Sequence, residues 1–211
     1  MKVIIFGASG AIGKLALKYA LLKGYDVTAY VRNSNKINIQ NDKLHIIEGE
    51  ISDYDAVEKA VRGNDAVVWC VGVKMKNKYP VMESLEGHKI LLKAMNSCGV
   101  KRLIDWATPS VTFHKDKKSF ITVVPSIIAG IALKQSKKEM IAIGELIRLS
   151  SLEWTLVRFI APTNSNFTGK IKVSFGDVKI KFSISRDDIA YFMIEQIESK
   201  EYINSMPIIG S

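Results

Sequence analysis

Between a short apolar run and an amphipathic one the chain reads FGASGAIG, Phe6 to Gly13, with Gly7, Gly10 and Gly13 three apart. This stretch restricts the fold more than any other. KVIIF, Lys2 to Phe6, is a short apolar strand. From Ala11 to Lys23 the residues Ile12, Leu15, Ala16, Tyr19 and Leu22 recur at helical spacing, and Gly24 follows as a stop. Strand, glycine turn and helix in that order form the context of a dinucleotide-binding turn. Gly7 lets the chain leave the strand sharply. Gly10 has no side chain, so backbone N–H groups can approach a pyrophosphate. Gly13 lets the helix pack close to the sheet. Ser9 adds a hydroxyl donor, and Ala11 and Ile12 open a helix whose N-terminus presents unpaired N–H groups to an anion. The spacing is G-x-x-G-x-x-G rather than G-x-G-x-x-G.

The alternation continues. DVTAYVR (Asp26 to Arg32) and KLHIIEG (Lys43 to Gly49) read as strands, and Asp53 caps a helix from Tyr54 to Arg62. DAVVWCVG (Asp65 to Gly72) is an apolar strand of the buried parallel type. A helix over Val81 to Cys98 leads to a fifth strand, Lys101 to Thr108. Residues Pro109 to Ala132 are mixed, Lys134 to Leu149 is an amphipathic helix, and Leu152 to Phe159 is a sixth strand. GKIKVSF and VKIKFSI flank Gly176-Asp177 and predict a hairpin. A helix over Arg186 to Ser199 and the strand MPIIG complete the order. This predicts an α/β, doubly wound, mostly parallel sheet with flanking helices. It forms a single domain over 1–211, with a small substrate-side region at about 109–185.

A net charge of +9 comes with three lysine clusters, KMKNK from Lys74, HKDKK from His114 and KQSKK ending at Lys138. No RNA-binding motif, helix-turn-helix pattern or zinc-finger spacing accompanies them, so they read as solvated faces that attract anionic ligands, not as a nucleic-acid surface. Cys70 and Cys98 form no metal-type cluster and read as buried thiols of a reducing, cytoplasmic compartment. The longest apolar run, Ile121 to Leu133, is broken by Pro125 and Gly130 and is too short to span a bilayer. It reads as buried or lid-like. The expected partners are a small-molecule substrate, with no nucleic acid and no membrane, in a monomer or small homo-oligomer.

The end of the second strand bears on the cofactor. An acid there accepts from the ribose 2′-OH of NAD. This chain has Tyr30-Val31-Arg32-Asn33-Ser34, with Lys36 shortly after and no carboxylate. Arg32 suits a 2′-phosphate as a planar bidentate donor, which favours NADPH, with NADH possible.

FGASGAIG, VTAYVRN, EGEISD (Glu48 to Asp53), NDAVVWCVG, DWATPS and LSSLEWTLVRF together carry a family resemblance. The chain resembles the atypical short-chain dehydrogenases/reductases of the NAD(P)H-binding, NmrA-like group. It is most similar there to small flavin reductases of the biliverdin-IXβ reductase type and to bacterial NADH-flavin reductases. The resemblance implies a Rossmann sheet with the cofactor over the strand C-termini. It implies Glu50 and Ile51 beside the adenine, Val71 and Gly72 beside the adjoining ribose, and Thr108 near the nicotinamide as the candidate catalytic residue. The chain departs from the group at Arg158-Phe159, where an Arg-Pro pair is common, and at Pro109 after Thr108.

Many short-chain dehydrogenases use Tyr-x-x-x-Lys as the proton-donating pair. Its literal match here, Tyr19 to Lys23, lies on the first helix and is a coincidence of spacing; downstream of Thr108 there is none. A carbonyl reductase needs such an acid. A flavin or quinone reductase needs mainly orientation and a dry stacking site, because hydride goes to an electron-poor ring and water supplies the proton. Trp106, Phe113 and the run from Ile121 to Leu133 are candidates for that surface, and His114 reads as a proton source or, given its lysine-rich loop, as a solvated surface histidine. The reading is an NAD(P)H-dependent oxidoreductase with a flavin as possible substrate, metal-free. The alternative is a non-catalytic NADP(H)-binding redox sensor. A sugar-nucleotide epimerase would need a Tyr/Lys pair and a larger second domain.

Overall fold

A computed structural model describes residues 1–211, apart from the side chains at positions 121, 125, 126, 128 and 129. In chain order the elements are β1 (Lys2–Phe6), α1 (Ala11–Leu22), β2 (Asp26–Val31), β3 (Leu44–Glu48), α2 (Tyr54–Val61) and β4 (Ala66–Trp69). Then follow α3 (Glu83–Cys98), β5 (Arg102–Ala107), α4 (Phe120–Ala132), α5 (Lys134–Arg148), β6 (Glu153–Arg158) and β7 (Ala161–Thr163). The chain closes with β8 (Lys172–Ser174), β9 (Ser183–Ser185), α6 (Arg186–Glu195) and β10 (Ile208–Gly210).

The main sheet runs β3-β2-β1-β4-β5-β6-β10-β8 and is parallel except for β8. Both faces are covered, which is why its strands are apolar throughout. Alternate residues of β1 serve opposite cores. Ile4 and Phe6 join Trp69 and Leu103 with Leu91 and Met95 of α3 and Ile143 and Ile147 of α5. Val3 and Ile5 join Val27 and Val68 with Leu17 of α1 and Ile189 and Met193 of α6. The order of strands reverses between β1 and β4, and that reversal opens a crevice at their C-terminal ends.

Two expectations need correction. The segments flanking Gly176-Asp177 do not pair with each other: β8 pairs antiparallel with β10, and β9 pairs parallel with β7 in a small second sheet. The turn itself is present, with Phe175 N donating to Asp177 Oδ1 (2.9 Å) and Ser174 Oγ to Val178 O (2.8 Å). Gly176 is held against Lys117, since a Cβ there would stand 2.2 Å from the Lys117 carbonyl oxygen. With the turn fixed to that loop, the last strand takes the β8 edge. The second correction is α4, a helix within a stretch that reads as mixed. Within 109–185, β6 lies inside the main sheet and β7 pairs with β9 in the second.

A buried ion pair ties this half together. Arg158 is fully buried and bidentate to Asp116 (2.6 and 2.7 Å), and it also donates to Val111 O (2.9 Å) and Met206 O (2.8 Å). At the far end of the sheet, the Arg102 guanidinium is buried on the carbonyls of Glu153, Gln196 and Ile197, and burial pushes its pKa down to about 10.

Candidate functional site

The glycine turn sits in the crevice between β1 and β4. Gly7 has φ +72 and donates to Tyr30 O (3.1 Å), and a Cβ on it would stand 2.9 Å from the backbone of Cys70 and Val71. Both the left-handed conformation and the close approach of β4 therefore require glycine. Gly13 packs on the turn so tightly that a Cβ would stand 2.1 Å from Gly7 O. Gly10 differs: its φ of −74 and ψ of 171 suit any residue, and a Cβ there would meet only Gly7 O, at 3.2 Å. Gly10 caps α1 without a side chain, and the first turn of α1 carries no acid. Nothing from the helix itself neutralises its positive end.

From this turn a cleft of about 610 Å3 extends along the strand ends. Gly7, Ser9 and Gly10 form one wall, and Arg32, Glu50 and Ile51 line it beyond β2 and β3. Val71 and Gly72 line it beyond β4, and Gly72 has open space where a Cβ would be. The structure thus brings together eight residues singled out from the sequence. Ala11, Ile12 and Gly13 lie in the adjoining first turn of α1. Lys36 sits in a short 3-10 turn outside the lining, and Thr108 lines a neighbouring pocket. Arg32 is exposed and has no hydrogen-bond or ion-pair partner among the described residues. The nearby Glu48 carboxylate is already engaged by Ser34 N (2.5 Å), which lowers its pKa.

Sequence reasoning missed several groups here. Ser84, in the first turn of α3, lines the cleft with its Oγ buried and without a partner among the described residues. A buried hydroxyl left open in the wall of a cleft is what a bound polar ligand would satisfy. Glu139 is 1% exposed; it accepts from Leu85 N (3.0 Å) at the start of α3 and from the Tyr79 hydroxyl. Its carboxylate and burial push the Tyr79 pKa up. The flag for Glu139 is its place on the buried stripe of α5, with Ser136, Met140, Ile143 and Ile147. Ser136 Oγ in turn holds the loop after β4, donating to Lys74 O (2.5 Å) and accepting from Lys76 N (2.9 Å). Lys74 pairs with Glu83 (2.5 Å) across the same loop.

Below the cleft, His88 Nδ1 lies 2.6 Å from Ser84 O and Nε2 lies 2.8 Å from Asp105 Oδ2, both side chains buried. A carbonyl only accepts, so Nδ1 donates to Ser84 O. The pair fixes the start of α3 to β5. Cys70 lines the cleft, and burial with the nearby Asp105 carboxylate pushes its thiol pKa up to about 12, so it stays protonated at neutral pH. Cys98 is half-buried, donating to Glu58 O (3.5 Å).

The second pocket, about 190 Å3, is mostly apolar and is lined by Thr108, Ser110, Met140, Val124, Leu133 and Phe182. Lys74 and Glu139 line the cleft while their chain neighbours Met75 and Met140 line the pocket, so the two cavities share a wall. Thr108 Oγ1 bonds Ser110 Oγ (2.6 Å) and meets Met140 Sδ (3.3 Å). Trp106 is half-buried, donates to Val71 O (3.1 Å) and stacks on Phe159 (5.5 Å, 22°). Phe113 is buried in the core and lines neither the cleft nor this pocket among the described residues, and His114 is exposed beside it. The expectation that the run from Ile121 supplies the stacking surface lies outside the described residues at positions 121, 125, 126, 128 and 129; Val124 and Leu133 do line the pocket. Tyr19 donates to Asp187 (2.6 Å) and Lys23 pairs with Glu195 (2.8 Å), both on α6, so neither lines the cleft.

A family model described as NAD(P)H-binding matches residues 7–200. The chain belongs to the NAD(P)H-binding family. Within reach of this family chain, the uncharacterized protein YwnB of Bacillus subtilis is 27% identical over 97% of this chain and 95% of its own length. Among solved structures, a wide-type short-chain dehydrogenase/reductase from Veillonella parvula in complex with NADP superposes with a TM-score of 0.78 at 17% identity, covering 100% of this chain and 94% of that one. The anaerobillin reductase ChuY of Escherichia coli O157:H7 superposes with a TM-score of 0.77 at 16% identity, covering 100% and 97%. At these identities the two structures speak to the Rossmann fold. The NAD(P)H-binding family assigns a nicotinamide cofactor to the chain, and the open N-terminus of α1, the cleft and the orphaned Ser84 hydroxyl fit one.

Proposed function

We propose that this chain is an NADPH-preferring reductase that passes hydride to a flat, electron-poor ring of the flavin or quinone type. The observation that carries this reading is the apolar pocket sharing a wall with the cofactor cleft at Glu139 and Met140. Bound NADPH supplies the hydride. The first turn of α1, with Ser9 and Gly10, holds the pyrophosphate through N–H groups. Glu50 and Ile51 flank the adenine, and Val71 and Gly72 the adjoining ribose. Thr108 orients the nicotinamide end, its hydroxyl itself oriented by Ser110. The pocket keeps water from the acceptor ring. The acceptor gains one hydride and takes its proton from solvent, so no side chain has to give up a proton in the transfer.

The test is NADPH consumption with FMN and with a simple quinone as acceptors. Oxidation of NADPH by either supports the reading. Tight NADPH binding with no turnover on any acceptor would instead favour a non-catalytic NADP(H)-binding sensor. Positioning without proton transfer also sets a limit on single substitutions. Thr108→Val and His114→Ala should each lower kcat by less than the ~10²-fold that follows loss of a transition-state donor. A larger loss at unchanged cofactor affinity would assign chemistry to that side chain.

Arg32 decides between the cofactors. Arg32→Ala should weaken NADPH by roughly ten- to a hundredfold, the worth of a hydrogen bond to a charged group. NADH should hardly change. The difference should shrink as salt rises, because the group is exposed. Paired titrations of wild type and variant with each cofactor check this, and equal weakening of both would remove Arg32 from that role.

A further inference from the structure

Among its described residues, helix α4 carries four large apolar side chains outward. Phe120, Val123, Ile127 and Ile131 are 81%, 43%, 56% and 77% exposed. Their spacing of three, four and four places them on one face of the helix. No charged residue interrupts α4, yet lysines crowd both of its ends. Lys115, Lys117 and Lys118 precede it and Lys134 and Lys138 follow it, all exposed. Lys76, also exposed, is brought to this side by the bond of its N–H to Ser136 of α5. Between residues 109 and 138 the one acid is Asp116, and Arg158 engages it.

We propose that α4 lies on an anionic phospholipid bilayer, with its apolar stripe in the boundary between headgroups and acyl chains and the surrounding lysines on the lipid phosphates. An apolar stripe with lysines at both of its ends is the arrangement that such an interface matches. Thirteen residues make a helix of about 20 Å, too short to cross the hydrocarbon core. Among the described residues no helix is long and apolar enough to cross a membrane. The sequence reading expects no membrane partner, and this proposal departs from it: a helix lying in the interface has no crossing-length requirement. A second copy of the chain is a poor match for this face, because the same lysines would meet across a two-fold axis and repel. The lipid contact goes beyond the reductase reading and does not depend on it.

The test is co-sedimentation of the full chain with vesicles of phosphatidylcholine alone and of phosphatidylcholine mixed with phosphatidylglycerol. Wild type should partition onto the anionic vesicles, more weakly as salt rises, and little onto the neutral ones. Ile127→Ser combined with Ile131→Ser should lower that partitioning at least about tenfold. Both side chains are exposed, so the circular dichroism spectrum and NADPH affinity should not change. Three results would overturn the proposal. One is equal binding to both vesicle types or to neither. A second is a double variant that binds like wild type. The third is a wild-type dimer, seen by light scattering, that the double variant dissolves, which would make the face a contact between copies.

Discussion

Gly10→Val should weaken NADPH binding at least about a hundredfold and leave the fold standing. The backbone at Gly10 has φ −74 and ψ 171, which a β-branched residue accepts without strain. Its Cβ would meet only the Gly7 carbonyl oxygen at 3.2 Å, so the turn must give by a few tenths of an ångström. The branches of valine, however, enter the cleft that Gly10 lines. Losing two N–H contacts to a phosphate would cost binding at least about a hundredfold. Calorimetry measures the affinity and thermal melting measures the fold. Gly13→Ala is the control, because its methyl would stand 2.1 Å from Gly7 O and disturb the packing of helix on turn as well. Wild-type affinity in Gly10→Val would mean that the turn is not the pyrophosphate cradle.

Asp116→Ala should destabilise the protein by about 3–5 kcal/mol, the cost of leaving a buried charge without its partner. Arg158 has no access to water and loses two charge-assisted bonds, keeping only carbonyl acceptors. Asp116 Oδ2 also accepts from Phe113 N (2.8 Å), so the loop ahead of α4 loosens too. Urea unfolding with an unchanged m-value measures the effect. Adding Arg158→Met should recover part of the loss by removing the stranded charge. A loss under about 1 kcal/mol would place the pair among weakly coupled surface bridges.

What the sequence disclosed was what lies in contiguous runs. β1, β4 and the turn between β1 and α1 are readable because burial on both faces makes a strand apolar throughout, and because a tight turn and a close helix each require glycine. The pairing of β8 with β10 joins residues far apart in sequence, and a local turn signal at Gly176-Asp177 says nothing about such a partner. The sequence of α4 is apolar nearly throughout and contains Pro125 and Gly130, so its helical period was hidden. The cleft divides the same way. Gly7, Ser9 and Gly10 form one motif, whereas Ser84 and Glu139 reach the cleft from α3 and α5. Only packing reveals that they meet.

The shared wall between the two cavities has an evolutionary consequence. Among the described residues, every one lining the larger cleft lies at or before position 86 except Glu139, while the apolar pocket draws on residues from Thr108 to Phe182, with Met75 alone from earlier. The two cavities are thus nearly partitioned between the first half of the chain and the second. Substitutions beyond position 108 can remodel one cavity for a new molecule while the other keeps its inherited shape. Glu139, which belongs to the second half by position and to the first by contact with α3, is where such drift would meet its constraint.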